Sequence, residues 1–248
     1  METQDNGYIA CGYVQDNINL ERDIYLVKVN SQGSKVWEKR YGKKYTGTYA
    51  GIYDDAYSII AASDSGFYIT GSINGNVDCC GYSFLMKISA NGDSLWEKSY
   101  SQALGYSIAR TAEGNIIISG STNTPGQDAY LLKTDPSGGK IWEKTYGSAG
   151  YNFGTAVVQP LNGGYAMTGY SNISKTASPD VSLYRIDESG ALVWAKTYGG
   201  NNVDQGFGIV RNTDGGFCLT GLSNSGGSYI FLNRTDSTGL ELWQKNLK

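Results

Sequence analysis

Short runs rich in β-branched and aromatic residues alternate along this chain with clusters of Gly, Asn, Asp and Ser. Runs of that composition, so bounded, mark strands joined by tight turns. No stretch carries apolar residues at a sustained helical spacing, so almost no helix is expected. With residues 43–101 as the type, the pattern predicts strands over 56–62, 67–73, 83–89 and 94–100. Asp64-Ser65-Gly66 turns the first into the second, and Ala90-Asn91-Gly92 turns the third into the fourth.

This four-strand pattern repeats. The five tryptophans, Trp37, Trp96, Trp142, Trp194 and Trp243, are spaced 59, 46, 52 and 49 residues apart. Lys28, Lys87, Lys133, Arg185 and Arg234 each lie nine residues before a Trp, and Gly33, Gly92, Gly138, Gly190 and Gly239 each lie four before it. A Lys follows every Trp by two, and Tyr41, Tyr100, Tyr146 and Tyr198 follow by four. A period near fifty residues points to a blade-like unit that stacks on copies of itself. The units span 1–42, 43–101, 102–147, 148–199 and 200–248 within one domain, 1–248.

The expected fold is all-β: a five-bladed β-propeller of four-stranded antiparallel blades. The first unit reads as strands over 8–13, 23–29 and 35–41 only. Its inner strand is missing, so nineteen strands are expected. Each Trp, on the fourth strand, is expected to wedge between blades, its N–H on a neighbouring carbonyl.

Composition changes this picture little. The 34 glycines fit a chain of tight turns. A formal charge of −3 provides no basic footprint for nucleic acid, and no apolar run is long enough to span a membrane. No export signal is expected within these residues, because residues 2–7 already align with 211–216, and any such signal is expected outside them.

The turns between first and second strands, and between third and fourth, are short and uniform. The connections between units, and between second and third strands, vary. Alternating strand direction puts both variable kinds on one face, which is the candidate site. Tyr45, Tyr49, Tyr53 and Tyr151 are expected on these loops, where Tyr beside Asn and Asp suits glycan or protein recognition. Tyr53, Asp54, Asp55, Asn152 and Asp204 are the candidate binding residues.

Histidine is absent, which removes His-based triads and His-ligated metals. Paired carboxylates would still suffice for glycoside hydrolysis, and Asp54, Asp55, Asp78, Asp180 and Asp204 are the candidates. No EF-hand-type run is present, and no metal or cofactor motif is expected. Cys11 and Cys218 are expected as buried free thiols, and Cys79-Cys80 as two thiols or a strained vicinal disulfide.

Residues 128–147 (DAYLLKTDPSGGKIWEKTYG), 204–217 (DQGFGIVRNTDGGF) and 215–225 (GGFCLTGLSNS) resemble the repeats of secreted bacterial and archaeal propeller proteins. The array is also similar, at a distance, to quinoprotein propeller repeats. The resemblance implies a secreted or cell-surface setting and brings no catalytic residue. The function expected is a non-catalytic binding or display scaffold for a glycan or a protein. The alternatives are a glycoside hydrolase with paired carboxylates at the channel mouth, and a fragment that self-associates through its incomplete first blade.

Overall fold

The structure, a computed structural model, describes residues 1–15, 21–42, 52–75, 81–123, 126–147, 150–172, 178–224 and 227–248. Among these residues every regular element is a β-strand, nineteen in all. β1 (Tyr8–Gln15), β2 (Arg22–Val29) and β3 (Lys35–Tyr41) form an antiparallel meander. β4 (Tyr53–Ala61), β5 (Phe67–Gly75), β6 (Tyr82–Ile88) and β7 (Ser94–Ser99) form the next. One parallel pairing, Arg22 with Tyr53, joins these two meanders into a seven-stranded sheet.

Three four-stranded sheets follow, each with its strands in chain order. They are β8 (Ala103–Arg110), β9 (Ile116–Thr122), β10 (Ala129–Thr134) and β11 (Lys140–Tyr146); β12 (Tyr151–Val158), β13 (Tyr165–Asn172), β14 (Asp180–Ile186) and β15 (Leu192–Tyr198); and β16 (Asp204–Arg211), β17 (Phe217–Ser223), β18 (Tyr229–Thr235) and β19 (Glu241–Leu247). The first repeat therefore has three strands, as its sequence implied. Ahead of β1 there is only a bridge from Glu2 to Tyr8.

Each turn before a Trp-bearing strand is built the same way. The Asp187 carboxylate accepts from the Ser189 and Ala191 N–H groups at 2.9 and 2.8 Å. Asp135 and Asp236 do the same in their turns, as does the Asn30 side chain. This local bonding explains why Asp, Asn or Ser opens each of these turns. The Gly closes the turn in the left-handed region, with φ of 83° at Gly190 and 74° at Gly239.

The basic residue of four repeats reaches the turn between first and second strands of its own repeat, whereas Lys133 of the third pairs with Glu188 of the following repeat at 3.3 Å. Lys28 pairs with Asp5 and Lys87 with Asp64, each at 2.5 Å. Arg234 pairs with Asp214, whereas Arg185 donates to the Asn162 side chain and the Gly163 carbonyl.

The chain's contacts group into two compact units, Met1–Ile108 and Ala109–Lys248. In the first, Ile9, Ile24 and Leu26 pack with Phe67, Ile69, Phe84, Met86 and Ile88. In the second, the β12–β15 sheet is covered on both faces. Tyr165, Met167, Tyr184 and Ile186 pack against Ile117, Ala129 and Leu131, while Ala166, Val181 and Leu183 pack against Ile209, Phe217, Leu219 and Phe231. Two covered faces leave the middle strands of this sheet, β13 and β14, buried along most of their length. Each large side chain so buried stabilises by roughly 1.5–3 kcal/mol.

A recurrent joint fastens the fourth strand of one repeat to the next repeat within each unit. The Trp37 ring lies 3.1 Å from the position a Cβ would take on Gly92, Trp142 lies 3.2 Å from that on Gly190, and Trp194 lies 2.7 Å from that on Gly239. The Tyr four residues on donates to the same glycine's carbonyl: Tyr41 to Gly92, Tyr146 to Gly190 at 2.9 Å and Tyr198 to Gly239 at 2.7 Å. Trp142 Nε1 donates to the Glu188 carbonyl at 3.1 Å, the contact expected of the wedge. The glycine is thus required twice, by its backbone angle and by the indole of the preceding sheet.

Two expectations change. Strand β4 begins at Tyr53, ahead of the expected residue 56, because Arg22 pairs with Tyr53. Tyr53 and Tyr151 therefore open strands β4 and β12 and are not on loops. Cys11 and Cys218 are free thiols, half-buried and not fully so. Burial pushes the Cys11 thiol up to about 11.

Candidate functional site

Much of the expected loop face, including Tyr45, Tyr49, Asp78 and Cys79-Cys80, lies outside the described residues. Asp54, Asn152 and Asp204 occupy equivalent places at the starts of β4, β12 and β16, and all three are buried. Asp54 Oδ1 accepts from the Asn74 N–H at 2.8 Å. Asn152 Oδ1 accepts from Ser171 Oγ at 2.6 Å. Asp204 Oδ2 accepts from the Gly200 N–H at 2.9 Å. These side chains tie the ends of strands to neighbouring backbone and hydroxyl groups. Asp54 and Asn152 also line matching clefts of about 300 and 340 Å³, beside Tyr41-Gly42 and Tyr146-Gly147 respectively.

The third strand of three repeats contributes a second acid here. Asp23, Asp128 and Asp180 reach Gly42, Gly147 and Gly199, where a side chain would strike the carboxylate. In the second repeat Ser101 replaces that glycine and Tyr82 replaces the acid, so the two positions change together. Around Gly199 two carboxylates meet. Asp180 Oδ1 and Asp204 Oδ2 each lie 2.6 Å from where a Gly199 Cβ would be, so they are no more than twice that distance apart. Burial, and then the Asp204 charge, raises the Asp180 carboxyl above its usual range.

Tyr53 and Asp55 belong to a different cluster in the first unit. The Arg22 guanidinium lies between the rings of Tyr13 and Tyr53, 4.5 Å from each centroid. Its Nη1 is 3.3 Å from Asp55 Oδ2, which also accepts from the Tyr57 hydroxyl at 3.2 Å. Tyr57 packs against Tyr106, ring centroids 5.7 Å apart. Burial, followed by the Asp55 charge, raises the Tyr57 hydroxyl, which keeps it a donor.

This cluster joins open and closed surface. Tyr13 is 49% exposed and Tyr57 42%, while Asp55 is only 5% exposed. Asp55 Oδ1 and Arg22 Nε are buried without a partner among the described residues. Sequence reading named Tyr53 and Asp55 but missed Tyr13, Arg22, Tyr57 and Tyr106. The alternation of Tyr57 with buried Ala56 was the available signal for a strand with one solvated side.

No protein-family model matches the chain. No curated protein sequence matches it either. Among solved structures, it is similar to a protein of unknown function from Dyadobacter fermentans DSM 18053, at 9% identity and a TM-score of 0.61, covering 100% of this chain and 81% of that one. A Bifidobacterium bifidum s17 protein assigned as an exo-β-1,3-galactanase is similar at 12% identity and TM-score 0.55, covering 100% and 91%. The Dos1 propeller is similar at 11% identity and TM-score 0.53, covering 98% of this chain and 56% of that one. With the antiparallel sheets described above, this likeness shows a β-propeller fold.

Proposed function

We propose that the protein is a non-catalytic, extracellular or cell-surface binding scaffold of five propeller blades, the first without its inner strand, and that it binds a glycan through the tyrosine cluster around Arg22. The carrying observation is the combination of exposed rings and fixed polar groups. A sugar ring offers one face of C–H bonds to an aromatic ring and hydroxyls at its edge. Tyr13 and Tyr57 supply such rings, and Arg22, its side chain 30% exposed and held by the buried Asp55, supplies a donor already in place. The buried Asp54 stabilises the strand that carries Tyr57. The extracellular setting rests on the resemblance of the repeats to those of secreted proteins.

Calorimetric titration with oligosaccharide pools tests this reading. Binding without turnover is expected, weakened tenfold or more by Tyr57→Ala and by Tyr13→Ala, with Lys140→Ala unchanged. Equal binding by all three variants would sink it.

One observation favours a second reading, glycoside hydrolysis. Asp180 and Asp204 approach closely, and one of them has a raised carboxyl, as a general acid requires. A retaining glycosidase holds its carboxyls about 5–5.5 Å apart, and one structural neighbour is assigned as a galactanase. Release of reducing sugar by the wild type, abolished in Asp180→Asn, would establish this reading over the first.

A further inference from the structure

Twelve residues before its Trp, on the third strand, each repeat other than the fourth carries an aromatic residue: Tyr25, Phe84, Tyr130 and Phe231. The fourth repeat has Ser182 there. Directly after the Trp, the same four repeats carry Glu38, Glu97, Glu143 and Gln244, and the fourth has Ala195. These two positions meet across the strand pair. The Tyr25 hydroxyl donates to Glu38 Oε2 at 2.6 Å. On β14 and β15, Thr197 opposes Ser182 and Ala195 opposes Tyr184. The fourth repeat therefore lacks a ring, and the long polar side chain beside it, at a single place.

That place is a cleft. Ser182 and Ala195 line the space of about 340 Å³ beside Tyr146, all within the second unit. Ser182 is 2% exposed, and its Oγ makes no well-formed hydrogen bond among the described residues, although the Tyr184 hydroxyl is close to it. Tyr184 is larger than Val27, Met86, Leu132 and Asn233 at the same repeat position, yet it does not fill the space. Its ring forms one wall, tilted against Tyr146 with centroids 6.2 Å apart. Leu192 and Ala195, both exposed, leave the cleft open to solvent. In the second repeat, by contrast, Phe84 is buried in one cluster with Ile24 and Met86, and Glu97 lines the matching cleft.

We propose that this cleft binds a free small molecule built on a single phenol-sized aromatic ring, seated where the other repeats place Tyr or Phe, with its hydroxyl turned inward to Ser182 Oγ. The occupant follows from the repeat itself. Phe84 and Tyr130 show that bare and hydroxylated rings both fit this position of the blade. A buried hydroxyl is costly until it is hydrogen-bonded, and a phenol would supply the partner that Ser182 lacks. Tyr146 and Tyr184 offer ring faces at the spacing and tilt that aromatic groups favour. The volume suits a small-molecule site, and ~150 Å³ is already enough for benzene in an apolar cavity. This site is separate from the Arg22 cluster, which lies in the first unit, so it stands or falls independently of the glycan reading.

Ligand-observed NMR titration of the whole chain with p-cresol, the side chain of tyrosine as a free molecule, tests it. The wild type should bind p-cresol saturably. Ser182→Phe supplies the ring from the chain, and Ala195→Glu restores the carboxylate at an exposed strand position, so each should weaken binding at least tenfold. Glu97→Ala, in the matching cleft of the first unit, should leave binding unchanged. Cooperative thermal unfolding of each variant near the wild-type Tm shows that it folds, and Ala195→Glu carries the test if Ser182→Phe does not fold. No saturable binding by the wild type, or wild-type binding by Ala195→Glu, would overturn the proposal. So would galactose displacing p-cresol, or the tripeptide Gly-Tyr-Gly binding more tightly than p-cresol, since these would give the cleft to a sugar or to a protein side chain.

Discussion

Tyr198 donates its hydroxyl proton to the carbonyl oxygen of Gly239 at 2.7 Å, and the Trp194 ring lies 2.7 Å from the position a Cβ would take on that same glycine. One turn thus receives both the Trp and the Tyr that recur at fixed positions on the preceding fourth strand. Tyr146 and Trp142 treat Gly190 in the same way.

The hydroxyl can be tested by itself. Tyr198→Phe keeps the ring and leaves the Gly239 carbonyl without its donor. A loss of about 1–2 kcal/mol in urea unfolding is expected. Tyr229→Phe, in a repeat position that makes no such joint, should change stability little.

Glycines at one repeat position should respond unequally. Gly33→Ala and Gly239→Ala incur the same backbone penalty, about 1–2 kcal/mol for a left-handed L-residue. At Gly239 the new methyl also meets the Trp194 ring 2.7 Å away, whereas at Gly33 it meets nothing. Gly239→Ala should therefore cost roughly 1–3 kcal/mol more, measured by thermal unfolding in dilute solution.

Asp180 is raised in the folded state, first by burial and then by Asp204. Its charged form is disfavoured by folding, so it lowers stability above its folded pKa, and protonation relieves this as pH falls through that value. Asp180→Asn should raise Tm at neutral pH, with the gain shrinking as pH falls into the carboxylate range. A gain independent of pH would contradict the assignment.

The carboxylates paired with the repeat's basic residues have the opposite sign. Lys28, with help from Thr3, holds Asp5 down to about 2, and Lys87 lowers Asp64. For Asp214 the Gly216 N–H leads, with Arg234 adding to it. Their folded pKa values lie below the unfolded ones, so their contribution is present above the unfolded carboxylate value, about pH 4, and is lost as pH falls through the folded values. Urea midpoints should drop over that window, and Lys87→Met should reduce the drop.

Much of the fold was legible in the sequence because a repeat states each requirement several times. Gly at one offset, Trp at another and Asp-x-Ser/Thr-Gly between strands each recur, so turns and strand order followed without tertiary information. The wedge reading of Trp held for Trp142, down to its N–H on a carbonyl. Candidate-site residues were less legible. Asp54, Asn152 and Asp204 share an offset, and that same recurrence reflects a shared structural task at strand ends. Arg22 occurs once, at a place where the other repeats have different residues, so nothing in the pattern marked it as the partner of Tyr13, Tyr53 and Asp55.

The sequence by itself determined the strands, their antiparallel order within each repeat and the turns between them, because these depend on neighbours close along the chain. Only the tertiary structure decided which side chains cluster across distant strands: Arg22 between two tyrosines, Asp180 near Asp204, and Trp194 on Gly239. Those contacts depend on the stacking of sheets, where burial and charge act between residues that no local pattern connects. A side chain's repeat position specifies the joint it can make, and the presence of a neighbouring sheet decides whether it makes one.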